Sequence, residues 1–168
     1  MNNWLGMFER LLTSDPCEGR EMKLGGPASA ARMEEVERQF GFAFPDEFRS
    51  LYGTYDGYGV VFDNKPAEIF WDFRPLGELV SFANGYRDTM AEAHPSLATR
   101  FFPFFDWSTG DSAGYLLDNN SKLLPGLYDF HHAAYEGDPN QNVSEFLVLA
   151  SDSIAGYLEN IIAECENA

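Results

Sequence analysis

The chain has 168 residues, enough for one domain with a proper core and too few for two of ordinary size. Apolar residues make up 45% of it, and 15 Phe, 8 Tyr and 3 Trp mark a globular chain, not a disordered one. Asp and Glu number 27 against 11 Lys and Arg, a formal net charge of −16, which argues against direct binding to nucleic acid or to an anionic membrane surface, both of which need cations.

The opening MNNWLGMFERLL has no basic start, long apolar core or small-residue cleavage site, so no export signal is read there and a cytoplasmic location is expected. No apolar run approaches the ~20 residues that span a bilayer. Residues 1–14 predict a helix with Trp4, Leu5, Phe8, Leu11 and Leu12 on one side. Residues 15–28 read as a loop carrying Gly19, Gly25, Gly26 and Pro27. Cys17 and Cys165 are the only cysteines and are expected as reduced thiols. Asp15, Glu18 and Glu21 around Cys17 would raise a thiol pKa, the reverse of what a nucleophile needs.

The stretch Gly26–Gly57 then predicts two helices around a sharp break. Ser29 can cap the first, whose Met33, Val36 and Phe40 keep helical spacing, and Gly41 ends it. Pro45 opens the second, with Asp46 and Glu47 in its first turn, where negative charge suits the helix dipole. Phe48, Leu51, Tyr52 and Tyr55 form its buried stripe. A helical hairpin that packs and does nothing else satisfies this pattern equally well.

Tyr58–Phe62 predicts a short strand, Asp63–Pro66 a turn, and residues 69–73 a second strand. Leu76 to Ala93 reads as a helix, weakened at Asn84–Gly85 and stopped by His94–Pro95. Further strands are expected at Phe101–Trp107, Gly114–Asp118, Leu127–Tyr135 and Glu145–Leu149, separated by turns at 108–111, 119–121 and 137–140. A final helix follows, capped by Ser151 or Asp152, with Ile154, Tyr157, Leu158, Ile161 and Ile162 inward. The sum is an α+β fold: a mostly antiparallel sheet of five to six strands, with helices packed mainly on one face and the other partly open.

Four ordered segments resemble the SUKH superfamily of Smi/Knr-like proteins. The hairpin's cap, Met33–Val36–Phe40, Gly41, FAFP and closing Tyr55–Gly57 follow the family order, with Phe40 and Phe44 where leucine is more usual. FFPFFDWSTGDSAGYLLD places Gly110, Asp111, Tyr115, Leu117 and Asp118 at the positions of the family's central hairpin. GLYDFHHAAYE is similar to its next strand, and FLVLASDSIAGYLENII to its closing strand and helix, with Ile154 for the usual Phe. The resemblance implies a single Smi/Knr-like domain over 1–168, of which 1–28 are an N-terminal helix and loop and 29–168 the family-like core. It also implies a non-enzymatic protein-binding module. Bacterial members resemble immunity proteins that protect a cell from toxins of its kin, many of them nucleases or deaminases, whereas fungal members are regulatory hubs. It carries no catalytic residues and no cofactor. Asp111 and Asp118 are expected to cap turns.

The chemistry written in single residues is thin. His131 and His132 are adjacent on an expected strand and would point to opposite faces, so one metal cannot take both without a bulge. An enzymatic or metal group of Asp111, Asp129 and His131 is conceivable and is weighed against a structural or interface role. Asp138–Asn142 mimics the start of a calcium loop, but Val143 stands where glycine is required. Phe101, Phe102, Phe104, Phe105 and Trp107 are too dense for all to face inward, unless the helix over 76–93 covers the second face. An outward set rimmed by acids would suit a basic protein partner, a toxin domain in the immunity reading. The candidate contact residues are Asp63, Glu68, Asp72, Phe102, Phe104, Asp106, Asp129, His131, Glu136 and Asp138. The chain itself is expected as a monomer or weak dimer.

Overall fold

The computed structural model describes residues 2–14 and 19–167. Cys17 and its neighbours Asp15 and Glu18, and with them the expectation of a thiol with raised pKa, lie outside the described residues. Cys165 is a free, partly buried thiol.

The chain runs α1 (Trp4–Ser14), β1 (Arg20–Leu24), α2 (Ala30–Phe40), α3 (Asp46–Tyr52), β2 (Tyr58–Phe62), β3 (Phe70–Phe73), α4 (Leu76–Ala91), α5 (Pro95–Ala98), β4 (Phe101–Asp106), β5 (Ser112–Leu116), β6 (Leu127–Phe130), β7 (Leu147–Ser151) and α6 (Ile154–Glu166). The seven strands lie side by side in chain order, every neighbouring pair antiparallel. The fold is therefore α+β, with one strand more than the five to six expected. The extra strand is β1, in a stretch expected as loop, where Arg20–Leu24 pairs residue for residue with Phe62–Tyr58.

The helical hairpin forms for the anticipated reasons. Ser29 accepts a hydrogen bond from Arg32 N–H, and Gly41 adopts a left-handed φ of 81° while its N–H donates to Glu37 C=O. Glu37 then binds the second helix down: its carboxylate accepts from Phe44 N–H at 2.6 Å and from Arg49 at 2.5 and 2.6 Å. The final helix is capped by Ser153, not by Ser151 or Asp152, because the Ser153 hydroxyl is the group that reaches Gly156 N–H, at 3.0 Å. Glu47 of α3 adds a carboxylate to the same helix start, accepting from Ile154 and Ala155 N–H at 2.8 and 3.1 Å.

The core is aromatic, and β4 is its axis. Phe102 and Phe104 pack on Phe48 of α3, at ring separations of 6.0 and 5.2 Å. Phe105 packs edge-on against Tyr157 of α6, and Phe101 edge-on against Tyr86 of α4. All six residues of β4 and all five of β5 are buried. A second cluster of Met90, Leu97, Phe101, Phe130, Phe146 and Leu147 covers the side to which Phe101 points. The expectation that one set of β4 rings lies outward is therefore overturned for Phe102 and Phe104, which are 1% and 0% exposed. β3 pairs with β4 only at Phe73–Phe105, and α4 packs against β4 beyond that point, covering what a bare sheet would have shown.

Several boundaries also shift, β5 lying at Ser112–Leu116 instead of the expected Gly114–Asp118. β6 ends at Phe130, and His132–Ala134 forms a 3-10 turn, so the strand expected to reach Tyr135 stops short. β7 starts at Leu147, because Val143–Glu145 forms another such turn capped by Asn142. Among the described residues, no helix is long and apolar enough to cross a membrane.

Candidate interaction surface

The turn between β4 and β5 is built from residues that each have a structural reason to be there. Trp107 N–H donates to Asp111 C=O, and Ser108 N–H to the Asp106 carboxylate at 2.8 Å. Gly110 takes a φ of 95°, and a Cβ there would meet the His132 ring at 3.0 Å. Asp111 does not cap its own turn with its side chain, as was expected; its carboxylate accepts from His132 N–H at 2.7 Å and ties β5 to the end of β6. Asp118 does cap the following turn, accepting from Asn120 and Lys122 N–H at 2.7 and 2.9 Å. Those bonds, Lys122 N–H first, hold its carboxyl below the usual range.

What this turn presents is Trp107, the outward ring of the Phe101–Trp107 stretch, 37% exposed. It is firmly seated. Its Nε1–H donates to the Tyr157 hydroxyl at 2.9 Å, the Tyr157 O–H donates to Asp129 Oδ1 at 2.7 Å, and the ring stands edge-on to Phe105 at 4.9 Å. Two hollows share this indole as a wall. One, of about 400 Å³, is mostly apolar, lined by Leu11, Tyr58, Val60, Phe62, Phe70, Phe105 and Ile161, with Arg20, Asp72, Ser108 and Cys165. The other, of about 410 Å³, is acidic, lined by Thr109, Asp111, Asp129, Phe130, His131 and Glu164.

Burial lifts the Asp129 carboxyl above its ordinary range; the Tyr157 hydrogen bond and His131 pull it back, while Asp111 and Glu164 push it further up. Burial first, then the Asp129 charge, raises the Tyr157 phenol, which stays a neutral donor. No side-chain hydrogen bond joins Asp111, Asp129 and His131 to one another, and no group of three or more His, Cys, Asp or Glu could hold a metal among the described residues.

The candidate contact residues named from sequence fall into three sets. Asp129 and His131 share the acidic hollow, and Asp72 lines the apolar one. Asp63, Glu68, Glu136 and Asp138 are exposed but line neither hollow. Glu68 pairs with Lys65 at 3.5 Å, and Asp138 caps its own turn at Asn140 N–H. Phe102, Phe104 and Asp106 are internal. Asp106 is 7% exposed and ion-paired with Arg74, so it serves the fold and offers no rim charge.

Trp107, Asp111, Tyr157 and Glu164 were not among those candidates. Two signals in the sequence point to them. Tyr157, Ile161, Glu164 and Cys165 recur at helical spacing, which puts Glu164 on the edge of the packed stripe of α6. Charge is also unevenly distributed: after Lys122 there is no Lys or Arg, while Asp129, Glu136, Asp138, Glu145, Asp152, Glu159, Glu164 and Glu166 all lie there. Arg10 reaches across to Glu159 and Glu166, at 2.9 and 3.8 Å, and the rest of this acidic segment has no ion pair among the described residues.

A search of curated proteins returned no match. A model of the SMI1 / KNR4 family (SUKH-1) matches residues 27–158, from the loop before α2 into α6. Only α1, β1 and the last turns of α6 fall outside it, and the α+β meander with its helical hairpin lies within it: the chain belongs to the SMI1/KNR4 (SUKH-1) family.

Proposed function

We propose that this protein is a non-catalytic binding module, an immunity protein that neutralises a basic toxin domain of nuclease or deaminase type by covering its active site. The single observation that carries this reading is the Trp107 ridge, a seated, part-exposed indole beside a hollow whose carboxylates, Asp111, Asp129 and Glu164, have no Lys or Arg ion pair among the described residues. Interfaces draw most of their energy from such buried anchors, and unpaired charge around them speeds capture of an oppositely charged partner. Family membership supports a binding role over an enzymatic one. Asp111 and Asp129, which line one hollow with His131, are engaged with His132 N–H and Tyr157 O–H, and neither is poised against a nucleophile. We read them as positioning a surface for a partner in the cytoplasm.

Co-expression with the toxin domain encoded beside the gene tests this. Restored growth and a co-purifying complex are expected. A solitary gene, or one among metabolic genes, would instead favour a regulatory or scaffold module on the same fold.

A further inference from the structure

The apolar hollow and the acidic one differ in chemistry but meet at one side chain. The first is walled by Leu11, Tyr58, Val60 and Ile161; the second, across the indole, by Asp111, Asp129 and Glu164. The indole between them is fixed from behind by Tyr157 and Phe105, so it has little freedom left to lose when a partner lands on it. Each hollow is of a size to admit one side chain with room to spare. An apolar groove asks for an apolar group; the carboxylates of the neighbouring hollow, Asp111, Asp129 and Glu164, have no Lys or Arg among the residues that line it and ask for a cation.

We infer that the Trp107 ridge is a two-pronged socket for one extended, basic polypeptide segment, with an apolar side chain entering the apolar hollow and a Lys or Arg reaching the acidic hollow across the indole. The inference rests on the partner-binding reading above and names the chemistry of what is bound. Side chains two apart on an extended chain emerge on the same side about 7 Å from each other, the separation needed to straddle one ring. The cation then lies over or beside the Trp107 face, which adds an electrostatic attraction that a neutral residue would lack. Half-buried Asp129, whose charged form burial disfavours, gains from a cation brought beside it.

The test uses the full chain and three capped tripeptides: acetyl-Arg-Gly-Leu-amide, acetyl-Glu-Gly-Leu-amide and acetyl-Arg-Gly-Gly-amide. Each is titrated while the Trp107 indole N–H and the Ile161 methyls are followed by NMR. Arg-Gly-Leu should bind roughly tenfold more tightly than either comparator, a difference that two engaged side chains readily supply. It should shift both probes, and Glu164→Gln, an exposed substitution, should narrow the gap between Arg-Gly-Leu and Glu-Gly-Leu. Equal binding of the three, or shifts confined to other parts of the surface, overturns the socket. Co-expression separates this failure from failure of the immunity reading. If a Trp107→Ala variant of unchanged melting temperature still rescues growth, the socket is wrong and the immunity reading stands. If wild type rescues nothing while the peptides discriminate as described, the socket stands and the toxin is the wrong partner.

Discussion

On the hairpin side of the molecule, Glu37 holds Arg49 and the Phe44 N–H within 2.6 Å and joins two helices. On the β5–β6 side, Asp129 is half-buried with a tyrosine hydroxyl and the nearby His131 for company, and no Lys or Arg pairs with it among the described residues. The same side-chain chemistry serves the fold in one place and works slightly against it in the other. Arg74 repeats the first pattern with Asp106 and Glu78, and Arg10 with Glu159. Asp111 and Glu164 line the same hollow as Asp129, also without a Lys or Arg ion pair among the described residues. A half-buried carboxylate without a Lys or Arg partner among the described residues is the kind of group an incoming cation would satisfy, which is the basis of the proposed surface.

Substitutions on the two sides should separate accordingly. Phe48 touches five other rings of the core and is fully buried, so Phe48→Ala should cost about 3–5 kcal/mol in chemical denaturation. Its effect on partner binding should track the loss of folded protein alone. Glu37→Gln removes the charge that clasps Arg49 and should cost about 1.5–3 kcal/mol by the same measurement, again without altering the salt dependence of binding.

Asp129→Asn should go the other way. A carboxyl whose pKa is raised by folding favours the folded state below its unfolded pKa, and that advantage is lost as pH climbs through the raised value. At pH 7 the wild type therefore carries an unfavourable buried charge that Asn lacks, while Asn Oδ1 can still accept from Tyr157. The variant should melt about 2 °C higher at neutral pH, with the gap closing on acidification toward pH 4. It should also bind a basic partner more weakly. An equal loss of stability at both pH values would show Asp129 to be an ordinary structural acid. Glu164→Gln, at an exposed position, should leave the melting temperature unchanged and reduce only the association rate.

Much of the fold was legible because its local signals agree with its packing. Ser29, Gly41 and Pro45 dictate the hairpin by backbone chemistry alone, and the stripe Ile154–Ile162 declares its buried face. β1 was not legible. Arg20–Leu24 is only five residues long, with Met22 and Leu24 its sole apolar positions, and it becomes a strand because β2 offers an edge to pair with. β6 was read too long because nothing near His131 announces that Asp111, from a different turn, takes the His132 N–H. The site was half-legible for a related reason. Density of rings on 101–107 singles out the stretch, but sequence could not say that α4 covers Phe101 or that α3 covers Phe102 and Phe104, leaving Trp107 alone outside. Asp129 and His131 were found by residue type; Glu164 needed the helix that brings it beside them.

The most direct check is the association rate of the complex, followed by stopped-flow between about 0.05 M and 0.5 M salt for wild type, Glu164→Gln and Glu35→Gln. Glu35 is exposed and paired with Arg32, so it controls for charge that already has a partner. The expected result is a rate that falls several-fold with salt in wild type and Glu35→Gln, and less steeply in Glu164→Gln. A rate indifferent to salt, or one blunted equally by both substitutions, would contradict a capture surface made of the acids around Trp107.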